Sequence, residues 1–340
     1  MKILQMFKGK PGNYILTVLI CFFLAYTQLW EIVTNFKGQL TSNIEAALGV
    51  IQGTPHWKVY QSRLLGPYFF ELVNNILGLG HSYAFLLTLF LQSFFMFLTV
   101  ILTYKSISGS WLTSYGIAIL SSFFVALLLQ GKWLYLWDLF DFIFISLIIW
   151  SYYKEKSLLI IFSIITLAIF NRELSLIVLI WLALISGYKI IFKAENNISR
   201  YKKIFFVSIT LLIVGYSVIN YLREFLLIKE LGPELFVDSG KNLSSSSFHF
   251  KFFNNLERFS NTIFNLSKNQ IYNFIICSMA VISFLGAFSK KSLLVELSAL
   301  LMIMLCSTLV FAEIYETRVW ISLIPLLIFI FRELIQEHSL

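Results

Sequence analysis

The chain has 340 residues, of which 58% are hydrophobic and only 13% are charged. Soluble domains contain about 45–50% apolar and about 25% charged residues, so this composition indicates a chain surrounded largely by lipid. It excludes a soluble enzyme, a nucleic-acid-binding protein and a secreted disulfide scaffold. The net charge of +8 comes from basic residues in short clusters between apolar runs, which is typical of topology signals and not of a polyanion-binding surface.

Ten apolar runs, most of them about as long as a bilayer is thick, predict ten transmembrane helices. They lie at about 14–30, 83–104, 111–130, 134–151, 157–170, 174–192, 204–221, 271–288, 292–311 and 319–333. The runs lack the alternating pattern of an outer-membrane barrel. No small-residue cleavage site follows the first run, so we expect a retained span and not a signal peptide. The expected fold class is all-α, with residues 1–340 forming one polytopic membrane domain.

Lysine and arginine are concentrated in alternate loops, as the positive-inside rule requires. The loops that contain Lys105, Lys154 and Lys290 are short and basic, so we assign them to the cytoplasmic side together with both termini. Two long loops, at 31–83 and 223–270, then lie outside. We therefore expect the working surface on the extracytoplasmic side.

The second long loop contains apolar residues with helical spacing among polar ones. They are Phe248, Phe250, Phe252, Phe253, Leu256, Phe259 and Ile263. This pattern predicts an amphipathic helix that either lies in the membrane interface or packs on the bundle as a cap. We expect interfacial amphipathic helices in both long loops.

Ionisable residues at or in a bilayer are costly, so those that no loop or snorkelling position explains are candidates for function. The first is Arg63, which lies at an apolar helix start just before Gly66. Its forked guanidinium group is suited to binding a phosphate or pyrophosphate. The alternative is a structural arginine that stacks on aromatic rings or pairs with Glu71.

Asp138 and Asp141 form the second candidate group, at the predicted outer end of the fourth span. Their spacing of three places both carboxyl groups on one helical face. Such a pair could act as acid and base, or could hold a divalent cation. Carboxylates are also favoured in the first turn of a helix, which explains one aspartate more easily than two.

Asn171, Arg172 and Glu173 form the third group, between the fifth and sixth spans. The fifth apolar run has about 14 residues, which as a helix is shorter than the roughly 30 Å hydrocarbon layer. We therefore expect this tripeptide to be drawn into the bundle interior. The alternative is a tight turn in which Arg172 and Glu173 pair with each other.

Glu313, Glu316 and Arg318 form the fourth group, at the start of the last span. The two glutamates share a helical face, and the alternative to a functional role is ordinary ion pairing at a charged turn. Glu296 also lies in an apolar run, but we expect it to pair with a lysine at 290 or 291 or to reach the interface.

This arrangement resembles the multi-spanning GT-C glycosyltransferase superfamily and its relatives in bacterial envelope polysaccharide synthesis. The resemblance covers the layout of the whole chain. It consists of a retained first span, a long first outside loop, an acidic start to the fourth span, an Arg-Glu turn and a late Glu-Thr-Arg before a helix that contains proline.

The resemblance implies an enzyme of the bacterial cytoplasmic membrane that transfers a sugar from a polyprenyl-phosphate donor to a lipid- or protein-linked acceptor on the extracytoplasmic side. In this family a carboxylate of the first outside loop commonly serves as the base, which corresponds to Glu45 here, and Asp138 and Asp141 match a second acidic motif. Arg63, Arg172 and Arg318 would hold the phosphate, with Glu173, Glu313 and Glu316 in support.

Two other functions fit the same sequence features. A polysaccharide polymerase of the O-antigen type would also need outward-facing arginines, but its donor is a whole lipid-linked oligosaccharide. A lipid-linked glycan flippase or transporter should place ionisable residues near the membrane midplane and often contains repeats. Here the charges lie at one face, and no internal repeat is evident.

Overall fold

A computed structural model describes residues 11–35, 39–129, 134–192, 198–230, 251–264, 270–312 and 316–338. Within these ranges every regular element is a helix. The α-helices are α1 (Pro11–Asn35), α2 (Leu40–Ile51), α3 (Leu65–Leu77), α4 (His81–Ser108), α5 (Trp111–Leu129), α6 (Leu136–Tyr153), α7 (Leu158–Ile169), α8 (Leu174–Ile191), α9 (Ile198–Phe225), α10 (Phe252–Phe264), α11 (Gln270–Ala287), α12 (Ser292–Phe311) and α13 (Ile324–His338). Two 3-10 segments, Lys58–Ser62 and Thr317–Leu323, precede α3 and α13.

In the described part of the chain, eight helical segments are long and apolar enough to cross a membrane. They are α1, α4, α5, α6, α8, α9, α12 and the segment Thr317–Glu337. The two remaining predicted spans are also helices, but α7 has only 12 residues and the apolar part of α11, Phe274–Ala287, is shorter than a span. The expected helical membrane bundle is confirmed, whereas the count of ten spans stays a prediction.

The centre of the bundle is formed by α6 and the last segment. Helix α6 packs against α3, α4, α7, α13 and the 3-10 segment 317–323, and Trp137, Phe142 and Trp320 are fully buried there. Helix α9, by contrast, leaves large apolar side chains such as Phe206 and Ile213 exposed. An apolar outer surface of this kind is the one that a bilayer would cover.

The first long loop folds onto one end of the bundle. The amide N–H groups of Leu64 and Leu65 donate hydrogen bonds to the carbonyl oxygen of Phe170, at 2.8 and 3.3 Å. Gly66 lies so close to α6 that an added Cβ would be 2.7 Å from the carbonyl carbon of Leu136. The start of α3 is therefore fixed against both α6 and the turn after α7.

Helix α10 lies within the second long loop and contains Phe252, Phe253 and Leu256 of the predicted amphipathic segment, whereas Phe248 and Phe250 lie outside the described residues. An interfacial position for this helix stays a prediction. The side-chain amide of Asn255 donates to the carbonyl oxygens of Leu309 and Ala312, both at 2.7 Å. These two bonds attach α10 to the last turn of α12. Phe253 remains exposed on α10.

At the opposite end of the bundle, Glu296 is buried but does not pair as expected. Its carboxylate binds Lys189 Nζ at 2.7 Å and accepts hydrogen bonds from Tyr152 and Ser292. The expectation of a lysine at 290 or 291 was wrong about the partner, because a lysine on another helix lies closer than those in the preceding loop. A buried carboxylate needs such a partner to offset its desolvation.

Candidate functional site

Four arginines meet at the end of the bundle to which the first loop attaches. Arg172 precedes α8, Arg223 lies in the last turn of α9, Arg63 follows one 3-10 segment and Arg318 lies in the other. The positive charges of Arg172 and Arg318 both act on Arg63. The structure thus brings together the three arginines predicted to form a phosphate site and adds Arg223. We refer to these four residues as the arginine cluster.

Arg172 is held by the aspartates of α6. Its Nη1 lies 3.3 Å from Asp138 Oδ1 and 3.0 Å from Asp141 Oδ2. Asn171 Nδ2 donates to the other oxygen of Asp141 at 2.7 Å, and Asp138 Oδ2 accepts the backbone N–H of Tyr135 at 2.9 Å. One aspartate therefore also caps α6, whereas the main charge partner of the other is Arg172.

Arg318 is bound on several sides. Its guanidinium group lies 2.6 Å from Glu316 Oε2 and 3.5 Å from Asp138 Oδ2, and its Cζ is 4.2 Å from the centre of the Tyr135 ring. The pairing with Glu316 is the local pairing that the sequence suggested as an alternative. Because Asp138 contacts both Arg172 and Arg318, it links two members of the arginine cluster.

Glu173 lies between Arg63 and Arg223. Arg63 Nη2 is 3.3 Å from Glu173 Oε2, Arg223 Nη2 binds Glu173 Oε1, and Ser62 Oγ donates to the same oxygen at 3.3 Å. Burial alone would raise the pKa of Glu173, but the two guanidinium groups lower it to about 2. Glu173 therefore remains ionised at neutral pH.

Two aromatic rings contact Arg63, and a third ring packs against them. Tyr135 stacks on Trp137 at 4.6 Å between ring centres, and Tyr60 packs against Trp137 at 5.0 Å. The Cζ of Arg63 lies 4.8 Å from the Tyr60 ring and 5.1 Å from the Trp137 ring. A guanidinium group held over aromatic faces has a fixed orientation, so its fork is ordered before a ligand arrives.

A cavity of about 350 Å³ opens beside the arginine cluster. Its lining is formed by Val59, Arg63, Arg172, Glu173, Leu174, Leu176, Ile177, Arg223, Ser307, Thr308, Phe311, Ala312 and Val319. Three guanidinium groups and one carboxylate thus face otherwise mostly apolar walls, and the lining carries a net charge of +2. Arg63 and Arg223 each retain a buried Nε–H without a hydrogen-bond partner. The cavity can therefore take an anion that carries an apolar chain.

Of the predicted site residues, Arg63, Arg172 and Glu173 line the cavity. Asp138, Asp141, Arg318 and Glu316 contact members of the arginine cluster but do not belong to the described lining. Glu45 is exposed on α2 and does not belong to the described cavity lining. Glu313 lies outside the described residues. Arg223 is a site residue that sequence analysis missed, because it lies in the last turn of an apolar helix, where an arginine can reach the interface without a functional reason.

The divalent cation considered for Asp138 and Asp141 does not fit their surroundings. Arg172 already contacts both carboxylates, so a cation would have to displace a buried guanidinium group. Among the described residues, no group of three or more His, Cys, Asp or Glu side chains is arranged to hold a metal ion. Both aspartates instead bind Arg172, and Asp138 also contacts Arg318.

Comparisons with protein-family models, with curated proteins and with solved structures found no match for this chain.

Proposed function

We propose that this protein is a membrane glycosyltransferase that takes a sugar from a polyprenyl-phosphate donor and transfers it to a lipid- or protein-linked acceptor. The observation that carries the proposal is the cavity, in which Arg63, Arg172 and Arg223 face apolar walls. The proposal assigns the donor phosphate to the guanidinium groups and the start of the polyprenyl chain to the walls formed by α8 and α12.

The chemistry of glycosyl transfer fits this division. As the bond between the sugar and the phosphate breaks, negative charge grows on the departing phosphate, and preorganised cations stabilise it. The unpartnered Nε–H groups of Arg63 and Arg223 supply donors that the resting protein does not use. Asp138 and Asp141 lie behind Arg172 and would fix its orientation, so we assign them a positioning role.

Size separates the proposal from its nearest rival. Ligand pockets range from about 300 to about 1,000 Å³, and this cavity, at about 350 Å³, is at the small end. That volume favours one phosphate and one sugar over the lipid-linked oligosaccharide that a polymerase would bind. A flippase is less consistent with a charged cluster at one end of the bundle, since transporters bind their substrates near the midplane.

The membrane orientation in the proposal follows from charge. Lys105, Lys154, Lys189 and Arg200 lie at the helix ends opposite the arginine cluster. Under the positive-inside rule, this distribution supports a cytoplasmic location for that opposite end. The cavity then opens on the extracytoplasmic side of a bacterial cytoplasmic membrane. Ten spans with both termini inside satisfy this orientation, with α10 lying in the outer interface next to the cavity.

The test replaces arginine by lysine, which keeps the charge but loses the planar fork. The protein is purified in nanodiscs and supplied with polyprenyl-phosphate glucose, galactose or mannose. Loss of a charged hydrogen bond costs about 1.5–3 kcal/mol, or roughly 10- to 100-fold in rate. We expect that loss of transfer in at least two of the variants Arg63→Lys, Arg172→Lys and Arg223→Lys.

The matched control is Arg200→Lys, at the opposite end of the bundle, where the guanidinium donates to the carbonyl oxygen of Lys156 at 3.2 Å. Transfer should be unchanged in this variant. The double variant Arg63→Glu with Glu173→Arg exchanges the two members of the pair, and transfer should remain lost in it. If the pair is only structural, this double variant should instead recover part of the transfer activity. Near-normal use of the donor in all three site variants would refute the phosphate site.

A further inference from the structure

Glu173 differs from the other carboxylates of the site in its access to the cavity. Its side chain is 27% exposed, whereas those of Asp138 and Asp141 are 0% and 6% exposed. Among the described residues that line the cavity, Glu173 is the carboxylate. A hydroxyl group entering the cavity therefore meets Glu173 before it could reach either aspartate.

Both arginines that bind Glu173 have donors that the resting protein does not use. Arg63 and Arg223 each give Nη2 to Glu173 and keep a buried Nε–H without a partner. An arginine binds an oxyanion best with two parallel N–H groups. A phosphate that engages these forks must compete with Glu173 for the same two guanidinium groups.

We propose that the donor phosphate displaces Glu173 from Arg63 and Arg223, and that the released carboxylate then accepts the proton of the acceptor hydroxyl. This inference rests on the proposed function and names the base for it. The oxygen of the acceptor forms a bond to the anomeric carbon of the sugar as the bond from that carbon to the phosphate oxygen breaks. The polyprenyl phosphate leaves with the electron pair, and the proton of the hydroxyl passes to Glu173.

The charges around Glu173 support this order of events. They are Arg63 from the 3-10 segment, Arg223 from α9 and its own neighbour Arg172, while Ser62 adds a hydrogen bond. In the resting protein these cations lower the pKa of Glu173 to about 2, although burial opposes them. A carboxylate held so low is a weak base, and partial neutralisation of the cations by phosphate strengthens it. The base then becomes effective only when a donor is present.

The alternative bases are less well placed. Asp138 and Asp141 are buried against Arg172, and Asp138 also contacts Arg318. Glu45 is exposed on α2, away from the described cavity lining. Either aspartate would have to release a buried guanidinium group and move past it to reach a bound hydroxyl.

The test separates binding from transfer in the variant Glu173→Gln. Binding of a polyprenyl monophosphate in nanodiscs is measured against the uncharged polyprenol, and transfer is measured with the three polyprenyl-phosphate sugars. Removal of a competing negative charge should tighten phosphate binding by about tenfold. Removal of the base should lower transfer by about 100-fold or more.

The matched control is Glu224→Gln, the carboxylate next to Arg223, which is 75% exposed and pairs with Lys58 at 3.8 Å. Both measurements should equal those of the wild type. If Glu173→Gln fails to insert, Glu173→Asp replaces it. The shorter carboxylate should bind the monophosphate at least as well as the wild type but transfer more slowly.

Each outcome separates this inference from the proposed function. Weaker monophosphate binding in Glu173→Gln would show that Glu173 only orders the arginines, and undiminished transfer in Glu173→Gln or Glu173→Asp would show that it is not the base. Either result overturns the inference while the phosphate site stands. A wild-type protein that does not distinguish the monophosphate from the polyprenol would instead overturn the proposed function.

Discussion

Removal of Arg172 should destabilise the fold through the carboxylates it leaves behind. In Arg172→Gln, Asp141 keeps only the hydrogen bond from Asn171 at 2.7 Å. Asp138 keeps the backbone N–H of Tyr135 and a contact with Arg318 at 3.5 Å. The variant therefore leaves the buried carboxylate of Asp141 without its main cation, and the buried carboxylate of Asp138 lies nearby.

The size of the effect follows from burial. The side chains of Arg172, Asp138 and Asp141 are 14%, 0% and 6% exposed, so solvent screens these pairs little. Removal of one member of a buried ion pair costs about 3–5 kcal/mol. We expect a loss in this range for Arg172→Gln, and the second change Asp141→Asn should restore part of it, because no uncompensated charge then remains at that position.

The assay is the free energy of unfolding, measured by tryptophan fluorescence as sodium dodecyl sulfate is added to protein in mild detergent micelles. Lys291→Gln is the matched control, because Lys291 pairs with Glu333 at 3.5 Å but is 44% exposed. An exposed pair contributes about 0–1 kcal/mol. The reasoning fails if Arg172→Gln costs no more than Lys291→Gln, or if Asp141→Asn adds to the loss.

Three further predictions concern packing, pH and orientation. Gly66→Ala should cost about 1–3 kcal/mol of unfolding free energy, because its new Cβ meets the backbone of α6, whereas Gly116→Ala, with open space around the site, should cost nothing in the same detergent titration. The ion pairs of Glu173 should stabilise the fold fully above its ordinary pKa of 4.5, and this stabilisation should be lost as the pH falls through about 2. The difference in unfolding free energy between wild type and Glu173→Gln should thus be constant above about pH 5. A difference that grew towards pH 2 would contradict this. In a background without native cysteines, an impermeant maleimide applied outside should label a cysteine at Glu224 but not one at Glu155, and the reverse pattern would invert the proposed topology.

The bundle was largely predictable because lipid imposes a simple rule on sequence. A segment that crosses hydrocarbon must be long, apolar and hydrogen-bonded within itself, and every predicted run is a helix in the structure. The helix ends were less predictable. Helix α4 ends at Gly109, whose φ of 73° is a left-handed conformation that favours glycine, but α1 and α9 continue beyond their apolar runs into polar residues.

The composition of the site was predictable, but its pairing was not. The free-energy cost of placing an ionisable side chain in a bilayer identified Arg63, Arg172 and Glu173 as unusual without any knowledge of their neighbours. The sequence could suggest only local partners, whereas Arg63 binds a glutamate 110 residues away and Arg172 binds aspartates 34 and 31 residues before it. These partners are set by how α6, α8 and the first loop pack together. Arg223 was overlooked because it lies at a helix end, where an arginine needs no special explanation.

The balance of charge in the site bears on whether it is structural or functional. The four arginines of the cluster face four described carboxylates: Asp138, Asp141, Glu173 and Glu316. This balance keeps the fold stable without a ligand, as a structural network must. A network built only for stability would have little reason to divide its charges unevenly, yet three of the cations and one carboxylate line the cavity, whereas Asp138, Asp141 and Glu316 do not belong to the described lining. Arg63 and Arg223, which line the cavity, each have a buried Nε–H without a partner. An anion that reached these groups would complete hydrogen bonding that the protein leaves open, which is the physical reason to expect a ligand there.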